Sequence, residues 1–144
     1  MIDINILRFI SVFALLVAGS YFDIFRNRLI PLVLFVVPGI FAVLFFAFNF
    51  TIFNFLIVTG GCLISFIYQK YKIWAFGDTL AYIILLMTYP LLAIPTILIG
   101  SIATSMFYFA YFMSKGKPIK EIITMKVPFF PGFLVGFICS VFIL

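Results

Sequence analysis

Apolar stretches long enough to cross a hydrocarbon layer follow one another along almost the whole of this chain. A layer of about 30 Å calls for roughly 17 to 25 apolar residues in helical form, and about six such segments can be placed. They run approximately from Ile4 to Phe22, Leu29 to Phe50, Ile52 to Tyr68, Ile73 to Tyr89, Leu91 to Met113, and Val127 to Leu144. A transmembrane barrel would instead show segments of about ten residues that alternate apolar and polar. That alternation is absent here, and a helix satisfies its own backbone polar groups inside lipid. The expected fold class is therefore all-α: a polytopic membrane protein, one domain over residues 1–144. Only 9% of the residues are charged, against about a quarter in a soluble domain, so the expected surroundings are the lipid bilayer.

Pro31, Pro95 and Pro128 fall near segment starts, where a proline removes no helical hydrogen bond. Pro38-Gly39 and Gly60-Gly61 are interior and predict kinks or close helix approach. Arg8 before an apolar run and the small residues Ala18-Gly19-Ser20 resemble an export signal, but the run is long and Asp3 sits in its basic end, so a retained helix is expected. Cys62 and Cys139 stand alone in apolar segments, and the chain has no histidine. Neither a disulfide framework nor a zinc centre is suggested, and no metal or cofactor is expected.

The nine basic residues are Arg8, Arg26, Arg28, Lys70, Lys72, Lys115, Lys117, Lys120 and Lys126, and all except Arg8 fall in the loops after the first, third and fifth segments. Lysine and arginine enrich cytoplasmic loops, so these loops are expected inside and both termini extracytoplasmic. The opposite loops, at Asn49 to Asn54 and Tyr89-Pro90, carry no charge. A net charge of +5 spread over short juxtamembrane loops suits membrane topology and anionic lipid headgroups and does not suggest nucleic-acid binding.

The acidic residues are Asp3, Asp23, Asp78 and Glu121. Asp23 closes the first segment on the inner side. Asp78 stands some 7 to 8 Å into the fourth, at 1.5 Å per residue, and that segment starts from the same side. Both carboxyls are expected at one level near the cytoplasmic face. An ionisable group in a membrane segment costs at least about 2.5 kcal/mol, which makes it a functional candidate. Singly, each has a plainer reading: Asp78 paired with Lys72 or Arg26, and Asp23 a solvated helix-end residue beside Arg26 and Arg28. As a pair in a low-dielectric site, one carboxyl holds a proton while the other stays charged. Such a pair can activate a water and protonate a leaving group, as peptide hydrolysis requires. A serine–histidine arrangement is excluded. A serine–lysine pair from Ser20, Ser101, Ser105 or Ser114 lacks a lysine within an apolar segment.

Three stretches resemble the prepilin peptidase family of membrane aspartyl proteases, which includes the archaeal preflagellin peptidases. Tyr21 to Pro31, with Asp23 before a basic stretch and Ile30-Pro31, resembles the family's first motif. Ala75-Phe76-Gly77-Asp78 resembles GxGD, with Ala75 at its first glycine and Leu80 where a lysine often stands. Val127 to Leu134 resembles a proline-rich start of the last helix. The resemblance implies removal, at the cytoplasmic face of the inner membrane of a bacterium or archaeon, of the basic leader of pilin-like or archaellin-like precursors. It implies a form that cleaves only, without the methyltransferase region. Asp23 and Asp78 would be the catalytic pair, and Gly77 would let a substrate backbone approach Asp78. Pro128 and Phe129 would help bind substrate through an irregular edge; the same stretch also reads as plain helix initiation. In the longest inner loop the lysines read as orientation anchors and lipid contacts, and Glu121 as a partner for the leader. Two other functions fit the residues: a small transporter or ion-conducting subunit in which Asp78 binds a proton or cation, and a pilus assembly factor of the same fold that does not cleave.

Overall fold

A computed structural model describes residues 4–25, 31–71, 73–124 and 127–143. All regular structure among them is helical: α1 (Ile4–Phe25), α2 (Val33–Phe48), α3 (Ile52–Lys70), α4 (Phe76–Thr88), α5 (Pro90–Ser114), α6 (Ile119–Thr124) and α7 (Phe130–Ile143). Three of these, α1, α3 and α5, are long and apolar enough to cross a membrane. The apolar helices α2, α4 and α7 have 16, 13 and 14 residues. At 1.5 Å per residue they extend roughly 20 to 24 Å, less than a layer of about 30 Å.

Local chemistry explains where the segments are shorter than expected. Before α4, the backbone N–H groups of Ile73 and Trp74 both turn back to the carbonyl of Tyr68. Ala75 is then extended, with φ −76° and ψ 163°, so the helix starts only at Phe76. Before α7, residues 127–129 are not helical, and Pro131 falls in the first turn, where it removes no helical bond. The fifth segment runs the other way. Pro90 supplies its first residue and α5 follows α4 with only Tyr89 between them. Pro95 is consequently inside α5 and not near its start, which costs the helix one backbone hydrogen bond. The loop after α5 is closed by Gly116 at φ 71°. Lys117 N–H reaches Phe112 O and Gly116 N–H reaches Met113 O, the paired bonds of a glycine-terminated helix end. The short α6 follows, an element with no counterpart among the expected segments.

Helix α4 is central. It touches α1, α2, α3 and α5, and its buried residues, among them Thr79, Ala81, Tyr82, Ile84 and Leu86, cover more than half of its circumference, with Leu80, Ile83 and Met87 half-buried on the rest, as suits a helix largely enclosed by others. The closest approach is between α5 and α7. Gly132, Gly136 and Ser140 on α7 meet Thr96, Gly100 and Thr104 on α5, each set spaced by four. A Cβ on Gly100 would come 2.5 Å from the carbonyl oxygen of Gly132, and one on Gly136 would come 2.8 Å from the backbone nitrogen of Gly100. Small residues at this spacing let two backbones touch, the contact that stabilises helix pairs where no water is displaced. Of the glycines expected to allow close approach, Gly61 lies against Leu86, whereas Gly60 faces open space. The bundle's exterior is strongly apolar, with Phe142 86%, Phe48 79% and Ile52 73% exposed.

Candidate functional site at the Asp23 and Asp78 end of the bundle

Asp23 and Asp78 are both buried, at 7% and 9% exposure. Asp23 lies in the last turn of α1, and its Oδ2 accepts the backbone N–H of Phe130 at 3.2 Å. Phe130 is the first residue of α7. Its N–H has no partner within its own helix, so a carboxylate from α1 caps α7. A hydrogen bond to a charged group contributes about 1.5–3 kcal/mol net, and the positive end of the α7 dipole favours negative charge there. The contact is held in place by Gly19, one turn earlier, where a Cβ would overlap the Phe130 ring.

Asp78 sits in the first turn of α4, and its Oδ2 accepts the N–H of Ala75 at 3.0 Å. This is half of a capping box. Ala75 has no side-chain acceptor with which to return the bond, so only the carboxylate arm forms. Asp78 is therefore at the threshold of its helix, where the sequence placed it about five residues inside.

An aromatic cluster connects the two carboxylate positions. Trp74, directly before Ala75, is buried, with ring centroids 5.8 Å from Phe129, 5.8 Å from Phe133 and 5.3 Å from Tyr82. Phe129 and Phe133 are 5.0 Å apart, and Phe130 lies 6.2 Å from Phe133. The turn that presents Asp78 and the helix start that Asp23 caps are thus packed on the same rings.

The opposite end of the bundle sets how α1 and α4 are aligned. Nη2 of Arg8 donates to the carbonyl of Thr88, the last residue of α4. The guanidinium lies over the rings of Tyr89, at 4.6 Å, and Phe45, at 5.4 Å. A cation at a helix C-terminus and over aromatic faces is favourable on both counts. With α1 packed on α4 and Arg8 against Thr88, the helices run antiparallel, and both aspartates belong to the far end. Asp23 is about four turns from Arg8 along α1, and Asp78 about three turns from Thr88 along α4.

Gly77 is in the first turn of α4 beside Asp78. Pro128 and Phe129 are half-buried and non-helical. The Phe129 carbonyl accepts from Phe133 N–H and the Phe130 N–H is held by Asp23, so these two groups are already engaged. Glu121, in the first turn of α6, forms an exposed ion pair at 2.8 Å with Lys117, which lies just before that helix. Asp3, Arg26, Arg28, Lys72 and Lys126 lie outside the described residues, and so do the ion pairs expected of Asp78 with Lys72 or Arg26. Sequence reasoning missed Trp74 as the shared support of the site and Arg8 as the partner of α4. Arg8 carried a signal, as the one basic residue outside the three cationic loops.

Comparison of the chain with protein-family models, with curated proteins and with solved structures finds no match.

Proposed function

We propose that this chain is a six-span membrane protein with extracytoplasmic termini that works as an aspartyl endopeptidase of the prepilin peptidase type. The observation that carries the reading is the burial of two of its four acidic residues, Asp23 and Asp78, at one end of an antiparallel helix pair. An ionisable side chain within a membrane segment is costly, which makes each of the two a functional candidate. The short helices fit a six-span arrangement if the non-helical residues before α4 and α7 complete the crossing, or if the bilayer thins locally.

One carboxylate takes a proton from a water whose oxygen attacks the scissile carbonyl carbon. The other donates its proton to the amide nitrogen as the C–N bond breaks. The substrate is a precursor with a basic leader ahead of an apolar helix. Cleavage occurs near the cytoplasmic face, where the cationic loops lie under the positive-inside rule. The half-buried Pro128-Phe129 stretch and Gly77 flank the substrate backbone.

Co-expression with a pilin-like precursor tests this: leader removal shortens the precursor with the wild-type chain and not with Asp23→Asn or Asp78→Asn. Processing that survives either change removes the assignment. A second reading, a relative that keeps the fold without cleaving, is favoured by the caps themselves, because each carboxylate already accepts a backbone N–H at a helix start. Unprocessed precursor with the wild-type chain would support it.

A further inference from the structure

We propose that Arg8 is a positioning residue: it pins the N-terminal part of α1 to the C-terminal end of α4, and so fixes the axial register that brings Asp23 and Asp78 to bear on one substrate bond at the other end. The proposal rests on the reading of those two aspartates as a working pair. Three observations carry it. First, α4 ends at Thr88 with no loop to follow, because α5 begins at Pro90. The Thr88 carbonyl, free of helical partners beyond that point, is taken by Arg8. Second, the guanidinium is held against Phe45 of α2 and Tyr89 at the α4–α5 junction, with its Nε buried and making no hydrogen bond among the described residues. A buried donor left unpaired is costly, so the group is kept there by its other contacts. Third, α1 and α4 touch each other less extensively than α2 or α3 touch α4, which leaves a polar clamp to set how far one slides along the other. A planar, five-donor guanidinium suits this position. A lysine keeps the charge but loses the fork and the flat stacking face.

The test uses the full chain in lipid vesicles, with Cys62 and Cys139 replaced by alanine. Nitroxide labels go on the exposed positions Phe25 at the end of α1 and Phe76 at the start of α4, and a control pair on Ile102 of α5 and Val135 of α7. Arg8→Met is expected to shift or broaden the Phe25–Phe76 distance by a few ångströms and leave the Ile102–Val135 distance unchanged. In the unlabelled chain it lowers kcat for leader cleavage at least about tenfold with KM within about twofold, since a misplacement of about 1 Å is enough for such a loss. Arg8→Lys falls between Arg8→Met and wild type in both readouts. The clamp is overturned if Arg8→Met changes neither the Phe25–Phe76 distance nor kcat, or if both label pairs move together, which would mean general loosening. A wild-type chain that cleaves nothing would end the peptidase reading, while the distance arm would still decide whether Arg8 sets the register.

Discussion

Asp23 Oδ2 accepts the backbone N–H of Phe130 at 3.2 Å, joining α1 to the first residue of α7 across 107 positions of sequence. The bond ties the end of one helix to the beginning of another, and it depends on a third residue, Gly19, whose lack of a side chain admits the Phe130 ring.

Gly19→Ala is expected to destabilise the chain by about 1–3 kcal/mol, the usual cost of overfilling a tight interior. Phe130 has no exposed surface into which its ring could retreat. Thermal unfolding in detergent reads the effect. An unchanged midpoint would show that the ring moves aside at no cost and that the cap does not depend on it.

Asp78 separates structural from chemical roles. Asp78→Asn keeps an oxygen able to accept the Ala75 N–H, so its unfolding midpoint should stay near that of wild type. Asp78→Ala leaves that N–H without its side-chain acceptor and costs about 1 kcal/mol, the usual value of a lost helix cap. Equal stability of the two variants would mean that the 3.0 Å bond contributes nothing measurable.

Gly136 of α7 and Gly60 of α3 provide a paired comparison. A Cβ at Gly136 would overlap the Thr96 carbonyl oxygen, a backbone atom that cannot rotate away, whereas Gly60 has nothing within 4 Å. Gly136→Ala should cost about 1–3 kcal/mol. Gly60→Ala should lie between neutral and about 1 kcal/mol stabilising, because alanine is the better helix former. Denaturation in mixed detergent distinguishes them, and the reverse order would contradict the α5–α7 contact.

Much of the fold was legible from hydropathy alone, because apolar runs of this length have few alternatives to helix. Their ends were less so. The turn at Ile73–Trp74 is made of residues as apolar as the helix it precedes, and of the two prolines near the start of the fifth segment it is Pro90, not Pro95, that begins the helix. The contact of Thr96, Gly100 and Thr104 with Gly132, Gly136 and Ser140 is present in the sequence as two spacings of four, a less conspicuous pattern than the adjacent pair Gly60-Gly61, of which only Gly61 is packed. Asp23 and Asp78 stood out because charge is scarce. That Asp23 caps α7 could not be read from sequence, since the bond joins residues distant in the chain and its donor is a backbone group that any residue carries.

Hydrolysis by the reconstituted chain of a synthetic peptide, a basic leader joined to an apolar helix, tests the central claim most directly. Product is measured by mass spectrometry for wild type, Asp23→Asn, Asp78→Asn and the double variant. Residues that act as one unit lose function together, so each single change should lower the rate at least about a hundredfold, to the level of the double. A single variant that still cleaves at a rate near wild type would show that the two carboxylates do not form one catalytic pair.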